Sequence, residues 1–342
     1  MKIFRIVRFL VCKRVKICYN KVMKQSRGNN QTNGTALPSL FGEWEPAKDG
    51  GLVYSLSAVL PTVIFLLVTI FLPLFGADLE NAEGKDWYLY ISYLVTPIAF
   101  FLIAFWQWRR SGIPVKETAE NQRCHWKYFL VAFILQVGLL SFSELNTLFL
   151  ELLGNFGYVS DPIELPSMNG FGIVGVLLVI ALLPAIFEEV IFRGFVLNGL
   201  KVFGEAGAIL LCGLLFSLYH QNPAQTVYQF FCGAAFALVA VRSGSILPTV
   251  FSHFINNALI LTLEKFGVTA FPTPVYVTIL SVSAVCLLGS LIYLIFVDKK
   301  SILEEVKDWE EERTLKRRFF LCAAVGIVVC TVTWVSALFM GI

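Results

Sequence analysis

About nine apolar stretches, each roughly as long as a bilayer requires, follow one another along most of the chain. The 342 residues are 57% hydrophobic and only 15% charged, whereas soluble domains carry about a quarter charged residues. We therefore expect an all-α fold, a polytopic transmembrane helix bundle of about eight to nine spans with a polar site buried among the central helices. The predicted spans are 52–76, 87–107, 127–152, 171–195, 206–220, 225–241, 246–263, 274–297 and 319–340.

Composition divides the chain into four parts. Residues 1–50 combine a basic arm with a polar linker, and residues 51–169 hold the first transmembrane helices. Residues 170–263 contain most of the membrane-embedded polar groups, and residues 264–342 hold the last transmembrane helices around a charged linker at 298–318. The basic arm is predicted either to lie as an amphipathic helix on an anionic cytosolic leaflet or to be a disordered tail. In the charged linker, residues 301–318 are predicted to form a cytosolic amphipathic helix with Ile302, Val306 and Trp309 on one side.

Positive charge orients the bundle. The N-terminal arm, the connector after the second span and the 298–318 linker are rich in Lys and Arg, whereas the 77–86 connector is acidic. Because cytosolic loops carry the excess of Lys and Arg, we place the N-terminus in the cytosol and the C-terminus outside. The net charge of +3 is too small to indicate nucleic acid as a partner. The lipid bilayer is the expected surrounding, the expected location is a prokaryotic plasma membrane, and the sequence specifies no oligomeric state.

The 171–195 span holds two adjacent acids and an arginine within an apolar run, where ionisable groups are costly and therefore rare. Glu189 and Arg193 are four residues apart, so they share a helix face and can neutralise one another. Glu188 points about 100° away from Glu189, which leaves its carboxylate unpaired. Helix phase therefore predicts a structural role for Glu189 and leaves Glu188 for chemistry.

Two further elements follow on later spans. Phe216 and His220 share one helix face, and so do His253 and Asn257. Asn256 lies beside the second of these faces and is an alternative candidate for the role of Asn257. Taken singly, a membrane histidine or asparagine is more often a packing residue or a link between helices. Taken together, the three elements indicate a single polar site.

These residues resemble a known family. The patterns Glu188-Glu189-x-x-x-Arg193, Phe216-x-x-x-His220 and His253-x-x-x-Asn257 are similar to the three motifs of the CAAX-protease and bacteriocin-processing (CPBP, or Abi) intramembrane endopeptidases. The resemblance covers about residues 170 to 263. It implies an intramembrane endopeptidase that hydrolyses a peptide bond of a membrane-embedded or lipid-anchored peptide, of CAAX type or leader-like and bacteriocin-like.

The resemblance also implies roles for individual residues. Glu188 would activate water as a general base, and His220 would help to hold that water. His253 and Asn257 would stabilise the oxyanion of the tetrahedral intermediate. The support residues would be Glu189, Arg193 and Phe216.

Metal dependence stays open at this point. Glu188, His220 and His253 would suit a catalytic zinc with one open water position, and a metal-free glutamate protease is the rival account. The eight cysteines are scattered without a CxxC pair, so they indicate neither a disulfide framework nor a cysteine zinc site.

Two other functions compete with proteolysis. A non-proteolytic bacteriocin-immunity or peptide-binding membrane protein would use the same residues to sequester a peptide. A transporter or proton relay also uses intramembrane Glu, Arg and His, but the chain lacks a repeated half and gathers its polar groups in one cluster.

One geometric expectation follows from the short spans 206–220 and 225–241. In a simple topology Glu188 and His220 would lie toward opposite sides of the membrane. For them to meet, the two short spans must cross the bilayer only in part, with the turn at Gln221-Asn222-Pro223 at membrane depth, which is tolerated where the backbone lines a water-filled cavity.

Overall fold

The computed structural model describes residues 45–341 apart from 80, 83, 112–123, 161, 269 and 302–308. The predicted basic arm and most of the polar linker lie outside these residues, as do residues 302–308 of the predicted 301–318 amphipathic helix. The described residues are almost entirely helical and contain no β-strand, which confirms the all-α bundle. The helices are α1 Pro46–Phe71, α2 Asp86–Ser111, α3 Lys127–Leu139, α4 Phe142–Gly154, α5 spanning 172–200, α6 Gly204–Tyr219, α7 Thr226–Ser243, α8 Leu247–Lys265, α9 Thr273–Ile292 and α10 Trp309–Met340.

Seven stretches of the described chain are long and apolar enough to cross a membrane. Two of the predicted spans, 171–195 and 206–220, fall within the single stretch Gly172–Tyr219, because α5 continues to Leu200 and is followed closely by α6. The predicted span 246–263 corresponds to α8, which is a helix but is not among the seven. The chain is a multi-pass membrane protein.

Three predicted boundaries differ from the structure. α1 begins at Pro46, ahead of residue 52, because proline suits the first helical position and the Asp49 side chain accepts a hydrogen bond from the Glu45 backbone N–H. The predicted span 127–152 is interrupted after Leu139, where backbone bonds of the shorter i to i+3 type replace the α-helical pattern. At the C-terminal end, residues 309–318 are continuous with the last span, since α10 runs from Trp309 without a Gly or Pro in that stretch.

The first and last helices lie side by side and run in the same direction. Arg318 pairs with Glu45 near the start of both helices, and further along the Ser55 hydroxyl donates to the Cys322 carbonyl and accepts from the Gly326 N–H. Gly326 has no side chain, and a Cβ placed there would lie 2.8 Å from the Ser55 Cα atom. Glycine at this point therefore allows α1 and α10 to approach closely, as small residues do between membrane helices.

The turn between α6 and α7 lies against the middle of α10. The Gln221 side chain lies 3.6 Å from the Cys330 Sγ atom, and Trp334 donates to the Thr226 hydroxyl at 2.8 Å. At a rise of about 1.5 Å per residue, Cys330 is about 18 Å along α10 from Arg318 and about 15 Å from Met340. The turn therefore lies beside the middle of the apolar length of α10, and its depth in a bilayer stays a prediction.

Candidate active site on helices α5, α6 and α8

The site is built around helix α5, whose hydrogen-bonding pattern changes along its length. Two π-helical stretches, Leu177–Leu182 and Val190–Val196, flank the α-helical segment Leu183–Glu189 that ends in the two acids. Pro184 lies at the start of this segment, where it removes one backbone donor. π-Helical turns widen a helix and occur frequently at functional sites. Here they flank Glu188 and Glu189 on both sides.

Glu189 and Arg193 form a fully buried ion pair. The Arg193 Nη1 atom lies 2.7 Å from Glu189 Oε1, and neither side chain is exposed. The second guanidinium nitrogen, Nη2, donates to the Gly233 carbonyl on α7 at 3.1 Å. A buried charge is tolerated only when it is paired and hydrogen-bonded. The structure therefore places Glu189 and Arg193 as helix phase predicts.

Aromatic rings enclose the arginine. Its guanidinium carbon lies 4.3 Å from the centre of the Phe216 ring and 5.3 Å from that of Phe236. Both distances are within the range of cation–π attraction, which is stronger where the cation is desolvated. Phe216, a support residue in the sequence analysis, thus holds Arg193 from α6, while Phe236 holds it from α7.

His253 connects the two acids. Its Nδ1 atom lies 2.9 Å from Glu189 Oε1, and its Nε2 atom lies 3.8 Å from Glu188 Oε2. A carboxylate can only accept, so the first contact places a proton on Nδ1 and turns Nε2 toward Glu188. Glu189 therefore fixes the orientation of this imidazole as well as balancing Arg193.

Glu188 is buried but not paired at short range. Its side chain is 11% exposed, and its Oε2 atom has no hydrogen-bond partner among the described residues. This is the carboxylate that helix phase predicts to be unpaired. Its surroundings, with an imidazole close by and little exposure, suit a group that acts on a small polar molecule such as water.

His220 lies at the end of α6, directly before the turn. Its Nδ1 atom lies 2.8 Å from the Phe216 carbonyl, and its ring packs edge to face on the Phe216 ring at 4.7 Å. Because a carbonyl only accepts, Nδ1 carries the proton and the lone pair of Nε2 is free to accept. The Phe216 ring lies 6.1 Å from that of His253, so the same phenylalanine contacts both histidines.

Asn257 is half-buried on α8, one turn beyond His253. Its Oδ1 atom accepts from the Asn256 side-chain amide at 3.3 Å. Asn256 itself is buried, and its Oδ1 atom accepts from Gln136 on α3 at 2.7 Å and from the Tyr228 hydroxyl on α7 at 2.8 Å. The two neighbouring asparagines therefore differ in their surroundings.

Comparison with known proteins agrees with this geometry. A family model described as "Type II CAAX prenyl endopeptidase Rce1-like" matches residues 170–259, the segment from the start of α5 into α8. Residues 170–259 are therefore similar to the type II CAAX prenyl endopeptidases. No curated protein and no solved structure matches the chain.

The resemblance noted from the three motifs is thereby confirmed, and it supports an intramembrane protease that acts on membrane-associated peptides. The match covers the helices that carry Glu188, His220 and His253. Helices α1 to α4, α9 and α10 lie outside it, although several of them contact the matched segment directly.

The side chains that converge at this site do not complete a metal site among the described residues. Glu188 Oε2 and His253 Nε2 converge, but among the described residues no three His, Cys, Asp or Glu side chains are arranged to hold one ion. The predicted third ligand, His220, does not join the other two. We therefore derive no chemical step through a metal.

Sequence reasoning missed several contributors to the site, among them Gln136, Tyr228, Gly233 and Phe236. Gln136 is 2% exposed within an apolar helix, and such an isolated polar residue in a predicted span is a detectable signal. Gly233 contributes a backbone carbonyl and a close approach to Gly213 on α6, which no side-chain motif reveals.

Proposed function

We propose that the chain hydrolyses a peptide bond of a membrane-embedded or lipid-anchored peptide, with Glu188 as general base toward water. The observation that carries this proposal is the 3.8 Å separation of Glu188 Oε2 and His253 Nε2 in a buried site. The separation is too long for a direct hydrogen bond, but one water molecule can bridge two polar atoms at such a distance. A water in this position would contact the carboxylate that has no short-range partner.

The proposed steps are those of general acid–base catalysis. Glu188 takes a proton from water, the oxygen attacks the carbonyl carbon of the scissile bond, and the carbonyl oxygen becomes an oxyanion. Collapse of this intermediate breaks the C–N bond, and Glu188 returns the proton to the leaving amine. The free Nε2 lone pair of His220 suits it to orient the attacking water.

His253 and Asn257 are the proposed donors to the oxyanion. Donation from His253 Nε2 requires a proton on both ring nitrogens, and the Glu189 carboxylate at Nδ1 supplies the counter-charge for that cationic ring. Asn257 would donate from Nδ2, since its Oδ1 atom accepts from Asn256. Such preorganised donors are most effective where water is excluded.

The substrate class is proposed from the family match and the membrane setting. A prenylated peptide with a CAAX terminus is the first candidate, and a hydrophobic leader-like peptide is the second. The charge distribution supports a cytosolic N-terminus, and a prokaryotic plasma membrane is the proposed location.

Cleavage of defined peptides tests the proposal. Purified full-length protein in liposomes is given two fluorescence-quenched probes, a farnesylated CAAX peptide and a leader-like peptide, and products are identified by mass spectrometry. We expect the wild type to cleave at least one probe and Glu188→Gln to cleave neither. Cleavage by Glu188→Gln at the wild-type rate would overturn the mechanism. Peptide binding without cleavage, equal in wild type and variant, would favour the peptide-binding alternative.

Metal dependence is tested on the same preparation. Cleavage by protein shown by elemental analysis to hold no metal would support the glutamate mechanism as written. Loss of cleavage on chelation, with recovery on addition of zinc, would show that the mechanism requires a metal.

A further inference from the structure

A chain of hydrogen bonds outside the three motifs ends at Asn257. It begins at Ser252, whose hydroxyl lies 3.2 Å from the Gln136 Oε1 atom, and continues from Gln136 Nε2 to Asn256 Oδ1 at 2.7 Å. The Tyr228 hydroxyl donates to the same Asn256 oxygen at 2.8 Å. Asn256 Nδ2 then donates to Asn257 Oδ1 at 3.3 Å. We call this group, comprising Ser252, Gln136, Tyr228 and Asn256, the amide network.

The amide network joins three helices in a buried place. Gln136 lies on α3, Tyr228 on α7, and Ser252 and Asn256 on α8, and the side chains of Gln136, Ser252 and Asn256 are almost inaccessible. Each link matches a donor to an acceptor: the Gln136 oxygen accepts while its nitrogen donates, and Asn256 does the same. A network whose members are all satisfied in this way is rigid and selects one orientation of each amide.

Helix phase separates this network from the catalytic face. Ser252 and Asn256 are four residues apart and face α3, whereas His253 and Asn257 are also four apart and lie on the adjacent face. The hydrogen bond from Asn256 to Asn257 connects the two faces. Any effect of the network on Asn257 must therefore pass largely through this bond.

We propose that the amide network positions Asn257 for oxyanion stabilisation by fixing which end of its side-chain amide faces the reaction. An amide has an oxygen at one end and an NH₂ group at the other. With the Asn257 oxygen engaged by Asn256, the NH₂ group is directed away from the network and is available as a donor. Asn256, Gln136 and Tyr228 are thus positioning residues, and this inference rests on the proposed proteolytic function.

A substitution at Asn256 can reverse this orientation with almost no change in shape. In Asn256→Asp the atom facing Asn257 becomes an oxygen that cannot donate, while the other oxygen still accepts from Gln136 and Tyr228. The Asn257 amide gains a hydrogen bond by turning over, which directs its oxygen toward the reaction. We expect kcat to fall roughly tenfold to 100-fold, as for a misplaced catalytic group, with KM changed by less than about twofold.

A double-mutant cycle separates positioning from a general structural effect. Asn257→Ala is expected to lower kcat by about 100-fold to 1,000-fold, the usual cost of one oxyanion donor. If Asn256 acts through Asn257, then adding Asn256→Asp to Asn257→Ala lowers kcat by less than about twofold further. Multiplicative effects of the two substitutions would overturn the proposal.

Further variants test whether misfolding explains the effect of Asn256→Asp. Gln136→Met and Tyr228→Phe each remove one donor to Asn256 without introducing a charge, and each is expected to give a smaller fall in kcat that also disappears in the Asn257→Ala background. Thr262→Val on the same helix is the matched control, because the exposed Thr262 hydroxyl donates to the Ala258 carbonyl of its own helix. All variants are assayed on whichever of the two probes the wild type cleaves.

The outcomes distinguish this inference from the proposed function. If Glu188→Gln is active, the water-activating role of Glu188 is wrong, whatever the cycle shows. If Glu188→Gln is inactive but Asn256→Asp has wild-type kcat, the proposed function stands and the positioning role is wrong.

Discussion

The imidazole of His253 and the carboxylate of Glu189 meet at 2.9 Å across 64 positions of sequence. Because the same carboxylate oxygen also accepts from Arg193, one buried acid fixes both a cation on its own helix and a catalytic candidate on another. Glu189, the second acid of the motif, thus stabilises the structure of the site, while Glu188 faces the Nε2 atom of His253.

The two glutamates should therefore differ in their effect on stability. Glu189→Gln leaves Arg193 as a buried charge without a counter-charge, which costs roughly 3–5 kcal/mol. Glu188→Gln removes no short contact and should leave stability almost unchanged. Thermal unfolding in detergent micelles measures this difference. A larger loss for Glu188→Gln than for Glu189→Gln would contradict this assignment.

The turn after His220 contains a strained residue. Gln221 has a φ of 53°, and it is the one non-glycine residue with positive φ in the described chain. A left-handed conformation costs a non-glycine residue about 1–3 kcal/mol. Gln221→Gly is expected to be at least as stable as the wild type, and Gln221→Val clearly less stable, in chemical unfolding experiments. Equal stability of the two variants would show that the turn does not impose this conformation.

Helices α6 and α7 pack through glycine beside Arg193. A Cβ atom at Gly233 would lie 2.8 Å from the Gly213 Cα atom, so Gly233→Ala must separate the helices and displace the carbonyl that Arg193 binds. We expect a lower unfolding temperature and reduced cleavage. Gly289→Ala is the matched control, because α9 leaves open space around that position. Comparable losses in both variants would point to a general intolerance of substitution in these helices.

Asp298 links the ends of α3 and α9, and its contribution to stability depends on pH. Burial would raise the pKa of Asp298, but hydrogen bonds from Lys127 and Tyr128 outweigh burial and hold this pKa below its ordinary value. The stabilisation is therefore complete above the unfolded-state pKa of about 3.9 and is lost as pH falls through the lower folded-state pKa.

Asp298→Asn provides the comparison for this pH dependence. The wild type should be the more stable protein at neutral pH, and the difference in unfolding midpoint should shrink only below about pH 4. A difference that is constant from pH 7 to pH 3 would show that the charge of Asp298 does not contribute.

The depth of the α6–α7 turn can be tested by labelling. In a variant without the native cysteines, Ala224→Cys should resist a membrane-impermeant maleimide applied from outside until the protein is unfolded. Ser160→Cys, at an exposed position in the predicted outer connector after α4, is the labelled control. Rapid labelling of Ala224→Cys in folded protein would contradict a turn held within the apolar length of α10.

Local patterns in the sequence predicted much of this structure. The apolar stretches located α2, α6, α7 and α9 to within a few residues, since each is bounded by polar residues, Gly or Pro. Helix phase alone predicted that Arg193 pairs with Glu189 because both residues lie on one helix, one turn apart.

The remaining features depend on packing between helices. Nothing in the spacing of Glu189 and His253 indicates that they touch, because the contact requires α5 and α8 to be adjacent at one level. The positions of Gln136 and Tyr228 beside Asn256 are equally non-local. The interruption of the predicted span 127–152 after Leu139 was also missed, since the small residues Gly138, Ser141 and Ser143 also occur within membrane helices.

The placement of the α6–α7 turn also limits how small a working enzyme can be made from this chain. Asn146 on α4 donates to the Ala224 carbonyl, and Trp334 on α10 donates to Thr226, so the turn that follows His220 is held by helices from both flanks of the matched segment. An excised fragment of residues 170–259 would keep every motif yet lose both anchors. We expect the smallest autonomous catalytic unit to extend at least from α4 to α10.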